Sequence, residues 1–227
     1  MTPFFVSKKE GNMKGSKVIK SLLMGIALLS APVIAQEAAE TASAATAIEV
    51  GKTGYWDDIV YGSADAPIEI IEYASLTCSH CGHFALEVFP KLKEKYIDTG
   101  KVRLRFRNFM LNQFDFALTV VSRCKDEDLA RKLTHAFLSK QSSWLGKDNP
   151  VVILEALAAM EGLPLDGFTT CLKNEALAAH LGGKRDEWAK SENIQHTPTI
   201  KIDGIELAPP TWVKLDTAIE MKLSTLK

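Results

Sequence analysis

Cys78 and Cys81 stand three residues apart in the run Ser75-Leu76-Thr77-Cys78-Ser79-His80-Cys81-Gly82-His83-Phe84. Two thiols at this spacing can open and close a disulfide if one of them ionises near neutral pH, because the thiolate is the attacking form. The first turn of a helix provides for that. Unpaired backbone N–H groups and the positive end of the helix dipole face a sulfur placed there. Such a thiol titrates at roughly 3.5–7.5 instead of about 8.5. A protonated His80 would add a further donor. Cys78 is then the nucleophile and Cys81, one turn in, the resolving partner. Joined as a redox-active disulfide, the pair is strained relative to its thiolate-stabilised dithiol and passes readily to another thiol pair. The same spacing is half of a zinc site, with His80 and His83 as possible further ligands. Zinc sites usually repeat the pair. Here Cys124 and Cys171 stand singly inside helical patterns, so no metal is expected.

The elements that must position the two thiols are readable on either side. Ile68-Glu69-Ile70-Ile71-Glu72-Tyr73 is β-branched and apolar enough for a strand in a sheet core. Phe84, Val88, Leu92 and Tyr96 recur at helical spacing, so a helix opens on the cysteines and stops at Thr99-Gly100. Trp56, Ile59, Val60 and Tyr61 suggest a short first strand or docking segment. Val102 to Phe109 alternates apolar residues with Arg103, Arg105 and Arg107, a strand whose basic face reads as solvated. The period then changes. Phe116, Val120 and Val121 mark one helix, and Leu129, Leu133, Ala136 and Phe137 another. Further helices follow from Asn149-Pro150 to Gly162, over Leu165 to Leu172, and over Ala176 to Ala189. Strand pattern returns in Thr199-Ile200-Lys201-Ile202, with a hairpin turn at Asp203-Gly204, a return strand Ile205-Glu206-Leu207 and a last helix from Thr211.

At 227 residues the chain fits one domain with a large insertion, and 46% hydrophobic residues suffice for a core. A formal net charge of −1 offers no basic surface for nucleic acid. Residues 1–35 read as a secretory signal: Lys14, Lys17 and Lys20, then the apolar run SLLMGIALLSAP, then Val33-Ile34-Ala35 with cleavage after Ala35. The apolar run is short for a membrane span. Met13 is an alternative start. Removal of 1–35 leaves 22 basic residues against 27 acidic ones, formally −5. Residues 36–54 are Ala-rich and polar and read as a tether. An exported chain with four cysteines lies where disulfides persist.

The stretch 55–227 resembles the DsbA family of periplasmic thiol-disulfide oxidoreductases, and more the bacterial branch with a second cysteine pair. The resemblance rests on Cys78-Ser79-His80-Cys81, on Thr197-Pro198 ahead of a strand and an Asp-Gly turn, and on the helical segment between them at about 111–192. It implies an α/β thioredoxin fold with an inserted helical domain. It also implies that Pro198 is cis and lies against the cysteine pair, where it and Thr197 would bind a substrate strand. Glu72, six residues before Cys78, holds the family's place for a buried acid that relays the proton of Cys81. Its alternative is a salt-bridged strand residue, with Arg105 or Arg107. Two positions depart from the family's better-known members: Ser79 precedes the histidine instead of proline, and His196 precedes Thr197 where small residues are frequent. His196 either adds a donor near the redox pair or lines the surface. His83 reads as a half-buried surface residue, and His135 and His180 receive no role. Cys124 and Cys171, in an oxidising compartment and near helix ends, read as a structural disulfide; the alternative is two buried free thiols.

The resemblance implies a monomeric periplasmic oxidase that donates its disulfide to reduced exported proteins, is recharged by a quinone-linked inner-membrane protein, and needs no cofactor. Three other readings stand beside it: a disulfide isomerase or reductase of the same fold, a non-catalytic peptide-binding module, and a zinc-binding protein. The isomerase reading lacks the usual N-terminal dimerisation domain, for which residues 36–54 are too short, but Thr before the cis-proline is seen there too.

Overall fold

The computed structural model describes residues 54–226. The leader expected over 1–35 and the tether, apart from Gly54, lie outside them. A five-stranded mixed sheet in the order β1-β3-β2-β4-β5 carries the fold. Its strands are β1 Ile59–Tyr61, β2 Ile68–Ala74, β3 Val102–Asn108, β4 Thr199–Ile202 and β5 Ile205–Glu206. The central strand β2 runs parallel to β3 and antiparallel to β4, in registers that set Glu72 opposite Phe106 on one side and Ile200 on the other. Strand side chains alternate between faces. Ile68, Ile70 and Glu72 therefore share one face of β2, and Glu69, Ile71 and Tyr73 the other. The β4–β5 hairpin turns on Asp203 (φ 45°) and Gly204 (φ 85°), both left-handed, as a two-residue turn matching the twist of the strands requires.

After β2, helical backbone runs from Ser79 to Ile97. It comprises α1 Ser79–His83, a π-helical turn Phe84–Val88, α2 Phe89–Leu92 and a second π-helical turn Lys93–Ile97. Two causes are legible. Pro90 lacks an N–H for the carbonyl four residues back, which an unbroken α-helix would require. The apolar residues Phe84, Val88, Leu92 and Tyr96 also recur every four residues. In an ideal α-helix a four-residue step rotates about 40° past one turn, so such a row drifts off its face. Wider π turns offset that drift, and all four side chains are buried. They pack with Ile68, Ile70, Leu104, Ile200, Leu215 and Ile219 into a core between the sheet, this helix and α9 Trp212–Thr225. Each such fully buried side chain contributes about 1.5–3 kcal/mol.

Between β3 and β4 the chain is helical: α3 Gln113–Arg123, α4 Glu127–Ser139, α5 Gln141–Trp144, α6 Pro150–Met160, α7 Leu165–Cys171 and α8 Glu175–Ser191. Leu118, Val121, Leu133, Phe137, Trp144 and Leu154 make a second core that reaches Ala74, Leu76 and Cys81 under the active-site loop. Cys124 and Cys171 are joined as a disulfide across 47 residues of this insert, with Cα atoms 5.4 Å apart.

The basic face of β3 is not the solvated face its pattern suggested. Helix α8 lies over it. Arg107 sits over the rings of Tyr73 and Trp188, and its Nε donates to Asp58 at 3.0 Å. Arg105 donates to Glu69 at 2.6 Å. The alternating pattern recorded a half-buried face on which Arg105 and Arg107 pack their stems and reach carboxylates, while Arg103 Nε is buried without a hydrogen-bond partner among the described residues.

Candidate active site

The loop Ser75–Cys78 leaves the C-terminal end of β2 at the centre of the sheet and hands directly into α1. Cys78 occupies the N-cap position of that helix, with extended backbone (φ −85°, ψ 118°) and no side-chain capping bond. Its carbonyl accepts from the N–H of Cys81 (3.0 Å) and of Gly82 (3.1 Å). Cys78 is half-buried, whereas Cys81 has no exposed surface.

The two thiols are driven in opposite directions. Hydrogen bonding from the Cys81 thiol lowers the Cys78 pKa to about 5 against the opposing cost of partial burial, and the N–H groups of Cys81 and His80 add to it. Burial pushes Cys81 far up, and its bond to Cys78 pushes it further. The arrangement thus pairs an accessible thiolate with a buried thiol. His80 reaches Cys78 through its main-chain N–H. Its imidazole is exposed and makes no side-chain hydrogen bond among the described residues. The third donor expected from the His80 ring is thus supplied by backbone, because the N-cap geometry turns N–H groups, not side chains, toward the cap.

Glu72 is fully embedded beneath the helix. Burial, and then the charge of Cys78, raises its pKa to about 8, and its charge in turn raises Cys81. No ion pair to Arg105 or Arg107 forms, which corrects the alternative reading: those arginines are on the opposite face of the sheet and pair with Glu69 and Asp58. Glu72 Oε1 has no hydrogen-bond partner among the described residues.

Across from Cys78 the peptide Thr197–Pro198 is cis, and the Cys78 thiol donates to the Thr197 carbonyl at 3.3 Å. Residues 119 apart in sequence thereby share one site. Beside it runs a groove of about 610 Å³ between the helix and the loop before α9, lined by His83, Phe84, Val88, Pro198, Pro209 and Trp212 among others. A second cis peptide, Ala208–Pro209, shapes its far wall. His80 and His196 edge the same groove. His196 is exposed and reaches Glu206 at 3.3 Å, away from the thiols. His135 lies against Phe89, and His180 against Trp56. Among the described residues no three His, Cys, Asp or Glu side chains come together as a metal site.

Sequence reasoning missed the residues that hold the loop from the insert. Asp115, buried on α3, accepts the N–H of Leu76 and of Leu111, each at 2.9 Å. Asn112 caps α3 and donates to Thr77 Oγ1 at 3.1 Å. Gln141 Nε2 donates to the carbonyls of Leu76 (2.7 Å) and Cys78 (3.0 Å). Asn112 and Asp115 stand three apart, which is a helix-capping signal, but nothing in that signal names the loop they bind. Gly82, next to the resolving cysteine, marks the close approach of the Gln141 amide: a Cβ there would lie 2.3 Å from Gln141 Oε1.

Fold and site together define a thioredoxin-fold protein with a dithiol at a helix start and a cis-proline loop facing it. The chain belongs to the thioredoxin family, whose model matches residues 56–221. A protein named a putative protein-disulfide oxidoreductase from Rickettsia conorii is 27% identical over 172 residues, 75% of this chain and 62% of the relative. The chain thus spans about three-fifths of that protein's length. Among solved structures, alpha-DsbA1 of Wolbachia pipientis superposes with a TM-score of 0.68 at 27% identity, covering 75% of this chain and 95% of that one. A protein-disulfide isomerase from Novosphingobium aromaticivorans gives 0.64 at 26% identity, covering 73% and 97%. The structural neighbours bear out the DsbA resemblance, and with it the expected thioredoxin fold.

Proposed function

We propose that the chain is a thiol-disulfide oxidoreductase that gives its Cys78–Cys81 disulfide to reduced proteins exported to the periplasm. The observation that carries this reading is the geometry of the pair: half-buried Cys78 at the N-cap of α1, 3.3 Å from the carbonyl of the cis Thr197–Pro198 peptide, with Cys81 fully buried one turn in. This arrangement favours a thiolate at Cys78 and a thiol at Cys81. In the oxidised form, a substrate thiolate attacks Cys78 Sγ. The new sulfur–sulfur bond forms as the Cys78–Cys81 bond breaks, and the electron pair leaves on Cys81. Cys81 takes a proton, for which the buried carboxyl of Glu72 is the relay. A second substrate thiolate then attacks the substrate sulfur of the mixed disulfide and releases Cys78 as thiolate. The substrate loses two electrons and the enzyme's disulfide gains them.

The dithiol form is favoured because ionisation at Cys78 stabilises it, which makes the disulfide a strong donor. Thr197, Pro198 and the adjoining groove receive the substrate chain, whose backbone aligns beside the cysteine pair. The signal at 1–35 delivers the protein to the periplasm as a monomer, and a quinone-linked inner-membrane oxidase restores the disulfide. The isomerase reading keeps one observation in its favour, the similarity to the Novosphingobium protein of that name. Trapping the cysteines in cells with an alkylating mass tag separates the two. A donor oxidase rests with Cys78 and Cys81 joined; an isomerase or reductase rests with both thiols free.

A further inference from the structure

We propose that Gln141 is a positioning residue for this exchange, holding the main chain of the active-site loop so that backbone N–H groups stay aimed at the Cys78 sulfur. The inference rests on the functional reading above. Gln141 belongs to the insert, 60 residues beyond the resolving cysteine, yet its side-chain amide bridges the carbonyls of Leu76 and Cys78, the two that flank Thr77. Both ends of the turn into α1 are therefore fixed by one side chain. The amide is buried, and its own element is pinned: Trp144, one turn on, is fully buried and its Nε1 donates to the Phe137 carbonyl at 3.0 Å.

The Cys78 carbonyl has two lone pairs and three donors: Gln141 Nε2 and the N–H groups of Cys81 and Gly82. Gln141 and the two N–H groups together fix that carbonyl, and with it the orientation of the peptide that leads into the first helical turn, whose N–H groups favour a thiolate at Cys78. Gly82 fits the same device. A Cβ there would lie 2.3 Å from Gln141 Oε1 and 3.2 Å from the Leu138 carbonyl, so only glycine lets the amide approach.

The test is the thiolate absorbance titration of the reduced full chain. Gln141→Met keeps the length and removes the donor; Gln141→Glu keeps the shape and donates only while protonated. Both move the Cys78 transition upward, by about half to one pH unit for the loss of one such bond, and both lower the reduction potential. A merely structural role would lower the melting temperature and leave the transition where it is in the parent, and that result overturns the proposal. If the Gln141 variants fold poorly, Gly82→Ala provides a second route. In the parent background its Cβ displaces the Gln141 amide from the loop and moves the transition upward; a folded Gly82→Ala protein whose transition stays at the parent value overturns the proposal. The readout is a difference between parent and variant, so it holds whatever the parent's own midpoint, whereas a parent midpoint in the free-thiol range counts against the functional reading instead.

Discussion

At the scale of single residues, the site separates two chemically identical side chains by where each sulfur sits. Cys78 sees donors and partial solvent; Cys81 sees the core. Cys78→Ser therefore abolishes exchange. Cys81→Ser leaves a nucleophile that accumulates mixed disulfides, seen on non-reducing gels, while Cys81→Ala, which removes the largest donor to Cys78, raises the thiolate transition. Glu72 gives a pH prediction. Its folded pKa of about 8 lies above its unfolded value, so the carboxyl is harmless in acid and destabilises the fold increasingly as pH rises from about 4.5 to 8. Glu72→Gln accordingly raises stability in denaturant by about 3 kcal/mol at pH 7, with the gain vanishing in acid. The same variant slows exchange by about tenfold or more near neutral pH, because the relay is gone. A variant whose gain over the parent is no larger at pH 7 than at pH 4 would contradict the placement of that carboxyl.

Among elements, the strand-turn-helix unit was legible because its signals are local. The β-branched run of β2, the Cys-x-x-Cys spacing and the Asp-Gly hairpin each carry their own geometry. Less visible was what required a partner far along the chain. The π turns follow from Pro90 and from a strict four-residue apolar spacing read simply as helical. Helix α5, four residues long, has too little period to register, yet it carries Gln141. Asp115 looks like any first-turn acid until the loop is seen against it. That carboxylate joins α3 to the active-site loop by two main-chain donors. Asp115→Ala strands both donors and costs about 2–4 kcal/mol in denaturant unfolding; a loss below about 0.5 kcal/mol, the level of an ordinary surface change, would show the loop to be held without it.

For the molecule as a whole, the helical insert is tied to the thioredoxin half at the loop that does the chemistry, and is closed on itself by Cys124–Cys171. In the chain-entropy model that 47-residue closure stabilises the domain by about 4 kcal/mol, an upper figure. Replacing both cysteines with alanine lowers the unfolding free energy by up to that amount, read from urea midpoints at constant slope. An unchanged midpoint would mean that the bridge adds nothing to the fold. The reduced and oxidised forms also diverge with pH. A folded Cys78 pKa of about 5, below the unfolded value of 9, stabilises the reduced form fully above the higher value and loses that contribution as pH falls toward 5. The melting gap between reduced and oxidised protein therefore widens from pH 5 to 9, and a gap that narrows over that range would contradict the assignment.

The central claim is that this dithiol is held in its reduced form strongly enough to make the disulfide a donor. The most direct measurement equilibrates the full chain with glutathione mixtures at pH 7 and counts free thiols at Cys78 and Cys81 by alkylation. The account predicts a reduction potential above about −200 mV, on the oxidising side of the glutathione pool. A value near −270 mV, where a thioredoxin-like reductant stands, would contradict it.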